Sequence, residues 1–173
     1  FRAAMLAAAP RDLAVLQLAA ESAQWGSALP AGHARGIALH ESFGSIVAQV
    51  AEVSVEGRNV RVHRVTCAID CGFAVNPAGV IAQMESAVVF GLSAARYGEI
   101  GIERGGAVQS NFDDYRLLRI SEMPFVDTIL VASDGAMGGA GEPGVPPVAP
   151  AVANALFAAT GKRIRRLPIA SAL

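Results

Sequence analysis

The apolar positions of the chain fall into two rhythms. After Pro10, which restarts a helical pattern already present over residues 1–8, Leu13, Leu16, Leu18 and Ala20 give a mostly apolar face that predicts a first helix ending at Trp25 and Gly26. Residues 27–35, with Pro30 among glycines, have linker composition and set an N-terminal helical segment, 1–26, apart from a body at 35–173. The rhythm then changes. Residues 36–40 form a short strand candidate, 46–55 are rich in Val and Ala at successive positions as in a strand buried on both faces, and 60–69 alternate. Glu56-Gly57-Arg58-Asn59 between the last two predicts a hairpin turn.

Asn76-Pro77 is a helix-start signal, because Asn accepts from the first free N–H groups and Pro is preorganised at the first helical position. Ile81, Met84, Glu85, Val88 and Leu92 recur at three and four, which predicts a helix to about Arg96, with Gly91 permitting close backbone approach. A hairpin is expected over 97–109, irregular chain over 111–124 and a strand over 126–133. A glycine-rich loop follows at 134–144, then an Ala-rich helix over 147–160 stopped by Gly161, and a last strand over 163–169. The fold class is therefore α+β: a mixed β-sheet of hairpin strands with long helices packed on one face, in a single domain.

Composition narrows the function classes. In 173 residues, Lys+Arg 14 against Asp+Glu 15 leaves no basic surplus for neutralising phosphates, which argues against nucleic acid as a partner. At 53% hydrophobic and 17% charged residues the chain supports a core without disulfides. No apolar run is expected to reach the ~20 residues of a membrane span. Residue 1 is Phe and the first eight residues already read as helix interior, so the chain is expected to be a piece of a longer protein.

Candidate chemistry is concentrated in one loop. Gly139 to Gly144 satisfies G-x-G-x-x-G literally, but a dinucleotide fingerprint needs its helix to begin within the glycines and an acidic residue ~20 positions later. Here Pro143, Pro146, Pro147 and Pro150 delay the helix, and no Asp or Glu follows Glu142. Neither NAD nor FAD is expected to bind. Glu142 itself stands among small residues that allow a bulky ligand to approach, with Pro143 fixing the backbone behind it. It is either a general base or an exposed turn glutamate.

Gln83 and Glu85 interrupt the apolar helix, where a buried amide needs a partner, either backbone or a polar ligand. Cys67 and Cys71 lack the second pair of a zinc site and are expected to be reduced. His33, His40 and His63 share no ligand spacing. Ser42 and Ser45 lie near His40 without the G-x-S-x-G elbow of hydrolases. Lys162, Arg163, Arg165 and Arg166 are expected to be a solvated strand edge.

Taken together, these motifs resemble a known family. Gly141-Glu142-Pro143-Gly144-Val145-Pro146-Pro147-Val148-Ala149-Pro150-Ala151, with Asn154-Ala155 and Ala159-Thr160-Gly161-Lys162-Arg163, resembles the C-terminal end of the molybdopterin-binding subunit of the xanthine dehydrogenase and aldehyde oxidase family, nearest the isoquinoline 1-oxidoreductase branch. The likeness extends through Arg35-Gly36-Ile37-Ala38, His40 to Ser45, Val47 to Val53, Asp70-Cys71-Gly72, Asn76-Pro77 and Ser110 to Tyr115.

The resemblance implies part of a molybdenum hydroxylase that inserts water-derived oxygen at an electron-poor carbon of an N-heterocycle or aldehyde. It further implies molybdopterin, as the cytosine dinucleotide, and electron transfer to a small [2Fe-2S] subunit. On the same ground Glu142 is the base that deprotonates the attacking hydroxyl, Gln83 hydrogen-bonds the pterin, and Gly141 borders the metal pocket. The family subunit is several times longer, so the remainder of the large subunit is an expected partner, and this piece alone is expected to be inactive and free of cofactor. The other reading is a non-catalytic α+β interaction domain.

Overall fold

The computed structural model describes residues 1–172, and its core is a four-stranded sheet clamped between helices. In chain order the elements are α1 (Arg2–Met5), α2 (Pro10–Ser22), β1 (His33–Ser42), β2 (Ser45–Glu56), β3 (Asn59–Asp70), α3 (Pro77–Tyr97), β4 (Ile102–Glu103), β5 (Gly106–Ala107), β6 (Phe125–Leu130), α4 (Val148–Thr160) and α5 (Ile169–Ala172). The sheet runs β1-β2-β3-β6, antiparallel except for the parallel pairing of β3 with β6, while β4 and β5 form a separate two-stranded ribbon. This is the mixed α+β sheet that the residue pattern predicts.

The central strands are apolar on both faces because both faces are covered. Ile46, Ala48 and Val50 of β2 lie with Ile37 and Ala68 under Val15, Leu16 and Ala19 of α2. The alternate residues Ala51 and Val53, with Val65, pack against Val88 and Leu92 of α3 and Ala151, Val152 and Leu156 of α4. The expectation of helices on one face is thus corrected: α2 covers the face opposite α3 and α4, and the two-sided burial of β2 is what requires it.

Local signals set the boundaries. The Asn76 side chain accepts from the Gly79 N–H at 3.1 Å and Pro77 occupies the first position of α3. Gly161, at φ +74°, ends α4 in the left-handed conformation. Gly36 lets α4 lie directly on β1: a Cβ there would stand 2.1 Å from the Ala155 nitrogen and 2.2 Å from the Ala151 oxygen. The same contact lets the Asn154 amide donate to the Ile37 carbonyl at 3.1 Å, occupying a backbone acceptor of the edge strand β1.

Two further expectations fail. No strand forms over 163–169; the chain is irregular from 161 to 168 and then turns into α5. Pro168 has no N–H to give to a ladder, and Ile169, 2% exposed, is drawn into the core beside α3. The basic cluster therefore lines the end of α4, where the Arg163 guanidinium stacks 3.5 Å over the Phe157 ring. The second concerns apolar length. α3 has 21 residues and a mean hydropathy of 1.4 over its most apolar stretch, long and apolar enough by composition to cross a bilayer, although 44% of that stretch is buried in the protein. Its packing on the sheet and on α4 is that of a core helix.

Candidate functional site

The loop between β6 and α4 is laid across one end of the sheet, and successive backbone contacts fix it there. Val131 N–H donates to the Ile69 carbonyl at 2.8 Å, Gly138 N–H to the Cys71 carbonyl at 2.9 Å, and Gly139 N–H to the Phe43 carbonyl at 2.8 Å. Ser45, fully buried, donates its hydroxyl to the Gly139 carbonyl at 2.6 Å. That commitment gives Ser45 a structural use and removes it from hydrolase chemistry.

The support is itself tightly turned. β1 and β2 are joined by Phe43 and Gly44 alone, at φ +56° and +75°, the two-residue turn whose twist matches a hairpin. A phenylalanine in the left-handed region is strained, and here it presents its carbonyl to the loop. The loop glycines are needed for closeness: a Cβ on Gly138 would meet the Ser45 Oγ at 2.4 Å, and one on Gly144 would meet the Ala87 Cβ at 2.8 Å and the Met84 Sδ at 2.9 Å. Gly141 differs, with nothing within 4 Å of the corresponding position.

Glu142 stands between these anchored ends. Its side chain is exposed, and it has no ion-pair partner among the described residues. Pro143 and Gly144 behind it are buried. On the far side of Glu142 the buried Gln49 of β2 donates from Nε2 to the Gly144 carbonyl at 2.8 Å. The sequence pattern hides this residue, because a glutamine within Val47-Ala48-Gln49-Val50 reads as one polar interruption of a strand.

Gln83 is exposed, which corrects the picture of a buried amide. The buried residue is its neighbour Met84, 0% exposed, which carries α3 against Gly144. Gln83 and Glu142 therefore project from adjoining elements, with Gly141 open beside Glu142. Glu85 lies instead on the outer side of α3, in a groove of about 600 Å³ lined also by Phe90, Tyr115, Leu117 and Met123.

Other candidates resolve differently. Cys67 and Cys71 are free and buried, and burial pushes the Cys67 thiol up to about 12, as for an inert core thiol. His33 and His63 stack with ring centroids 4.3 Å apart, an encounter that their sequence spacing does not reveal. His33 Nδ1 meets Glu52 Oε1 at 2.9 Å, and burial followed by the neighbouring His33 lowers the His63 imidazole. No group of three or more potential metal ligands occurs among the described residues. α4 begins at Val148, after Pro143, Pro146 and Pro147 and with Pro150 inside its first turn, so that turn does not open within the glycines as a pyrophosphate cradle requires.

Gln83, Gly141 and Glu142 are each exposed, the first on α3 and the other two on the loop that α3 touches through Met84. An amide and a carboxylate are donor and acceptor types that can meet the polar edge of an organic cofactor, and no cluster of three or more potential metal ligands stands with them among the described residues.

Comparison with known proteins shows the family. Residues 8–124 match the family described as molybdopterin cofactor-binding domain, a span that includes Gln83 and stops short of Glu142. The chain is 37% identical over its whole length to the isoquinoline 1-oxidoreductase subunit beta of Brevundimonas diminuta, covering 23% of that protein. It is 34% identical over 92% of its length to a membrane-bound aldehyde dehydrogenase [pyrroloquinoline-quinone] of Gluconacetobacter polyoxogenes, covering 22% of it. Among solved structures, quinoline 2-oxidoreductase from Pseudomonas putida 86 superposes on 72% of the chain with a TM-score of 0.63 at 21% identity, over 17% of that chain, a likeness of fold. The chain spans less than a quarter of the length of these relatives.

Proposed function

Because the chain belongs to the molybdopterin cofactor-binding family, we propose that it is the part of a molybdenum hydroxylase's large subunit that carries the proton acceptor, Glu142, and one cofactor-binding amide, Gln83. The observation that carries this reading is the state of Glu142: an exposed carboxylate without an ion-pair partner among the described residues, held on a loop whose two sides are hydrogen-bonded to the sheet. A surface turn glutamate needs no such support, whereas a general base must be held within reach of the proton it takes.

The bound molybdopterin, which we assign as the cytosine dinucleotide on the likeness to the isoquinoline branch, supplies a metal that delivers water-derived oxygen and accepts two electrons. Glu142 would be the proton acceptor of that chemistry, one of its carboxylate oxygens taking up the proton lost when the electron-poor carbon is hydroxylated. Gln83 offers two N–H donors and one carbonyl acceptor, the complement of a pterin edge. Gly141, without a side chain, keeps the approach to Glu142 open. Substrate is an N-heterocycle or an aldehyde, the two classes named in the relatives. Electrons leave through a small [2Fe-2S] subunit.

The rest of the large subunit completes the pocket, so these 173 residues alone hold no molybdenum and oxidise neither substrate class. The complete enzyme, given isoquinoline or an aromatic aldehyde in H2 18O, is expected to return product carrying the heavy oxygen in stoichiometric amount. Product whose new oxygen comes from O2 would refute the reaction type.

A further inference from the structure

Gln49 is the feature of the site that the reading above leaves unused. It lies in the middle of β2, paired with Ala38 and Cys67 on either side, and is 0% exposed among Val47, Ala48 and Val50. Its Nε2 donates to the Gly144 carbonyl at 2.8 Å and approaches the Cys67 Sγ at 3.8 Å. Its Oε1 is buried without any partner among the described residues. An orphaned buried amide oxygen is unfavourable, and a leucine or methionine in its place would avoid that cost while leaving the Gly144 carbonyl without its donor. What the amide gains for the protein is the bond to Gly144.

The place of that bond in the loop is specific. Before Glu142 the loop is held by Gly138, Gly139 and Ser45. After it, Pro143, Pro146 and Pro147 have no N–H to give, and the Val145 N–H turns back to the Glu142 carbonyl at 2.9 Å. The carbonyl of Gly144, two residues from Glu142, is where the sheet reaches this half of the loop. Helix α3 presses on the same residue from the other side through Met84.

We infer that Gln49 is a positioning residue for Glu142: its amide pins Gly144 to the sheet and so sets where the carboxylate stands. The inference rests on the base role proposed for Glu142. It also makes a statement about the loop that holds whether or not that role is correct.

The test uses the complete, molybdenum-loaded enzyme with Q49M, which keeps side-chain length without the donor, and Q49E, which donates to the Gly144 carbonyl only when protonated. The control is T128V, which removes a buried, unpartnered hydroxyl paired across from Cys67. Hydrogen exchange at the Val145 amide should rise at least about tenfold in Q49M, with β2 and β3 unchanged, and stay as in the parent protein in T128V. Turnover in Q49M should fall at least about tenfold, with KM within about threefold and molybdenum retained, as for a misplaced catalytic group. Q49E, whose buried carboxyl stays protonated and donating at neutral pH, should keep more turnover than Q49M there and lose it relative to the parent as pH rises. Unchanged Val145 exchange in Q49M, loss of protection throughout the sheet, or a Q49E turnover at neutral pH no better than that of Q49M would each overturn the inference. Retained turnover in E142Q alone would refute the base role while leaving the exchange result to decide the pinning.

Discussion

Arg11 and Asp70 meet in a two-pronged bridge, Nε to Oδ2 at 2.6 Å and Nη2 to Oδ1 at 3.0 Å, which ties α2 to the end of β3 beside the Glu142 loop. Arg11 Nη2 also donates to the Asp70 carbonyl at 3.2 Å, and the Gly72 N–H donates to Oδ1 at 2.9 Å. The next carbonyl, that of Cys71, accepts from Gly138. The bridge therefore braces the strand end on which the loop rests.

The Arg11 guanidinium, bonded to the buried Asp70 carboxylate, holds that carboxyl below its usual range, outweighing the opposing effect of burial. A folded-state value below the unfolded one means that the stabilisation is complete above about pH 4 and is lost as pH falls through the depressed value. Asp70→Asn should be less stable than the parent by about 1–3 kcal/mol at pH 7. That gap should shrink as the pH drops below about 4, as read by denaturant unfolding of the full protein at a series of pH values. A gap that stays constant into acid would show that the charge contributes nothing.

Gly36→Ala should be severe. The new Cβ would meet backbone atoms of α4 at 2.1 and 2.2 Å, so relief requires moving the helix, at a cost of about 3 kcal/mol or more. Gly57→Ala, in open space at φ +61°, should cost about 1–2 kcal/mol. Thermal unfolding of the two variants should rank them in that order, and equal losses would contradict the close packing of α4 on β1.

Gln83→Ala separates cofactor binding from folding. The side chain is exposed, so stability should change by less than about 0.5 kcal/mol. Molybdenum per subunit of the complete enzyme, measured after gel filtration, should fall. Full retention of the metal would remove Gln83 from the cofactor site.

What could be read in the sequence was whatever depends on neighbours along the chain. Asn76-Pro77 and Gly161 mark the ends of helices through local hydrogen bonds and φ angles, and the Val-rich β2 and β3 carry their pattern in successive residues. Contacts between distant segments are different. The opposite placement of α2, the His33–His63 stack and the bond from Gln49 to Gly144 each need the third dimension. The tail misled because 163–169 has the composition of a strand, while the position of Pro168 and the burial of Ile169 decide otherwise. Glu142 was visible as a residue, and its likeness to a family base was visible in its motif. The exposure of Gln83 was not, because the periodicity of α3 places it one residue from the buried Met84.

The central claim is that Glu142 accepts a proton during turnover, and the direct measurement is the turnover number of Glu142→Gln in the complete enzyme, referred to its molybdenum content. Gln keeps the size of the side chain and cannot take up the proton, so the rate should fall by about 100-fold to 10,000-fold, towards the upper end, with the metal fully retained. Glu85→Gln, altered on the outer groove of α3, should lose far less. A Glu142→Gln enzyme with full molybdenum and most of its turnover would show Glu142 to be a loop residue and contradict the account.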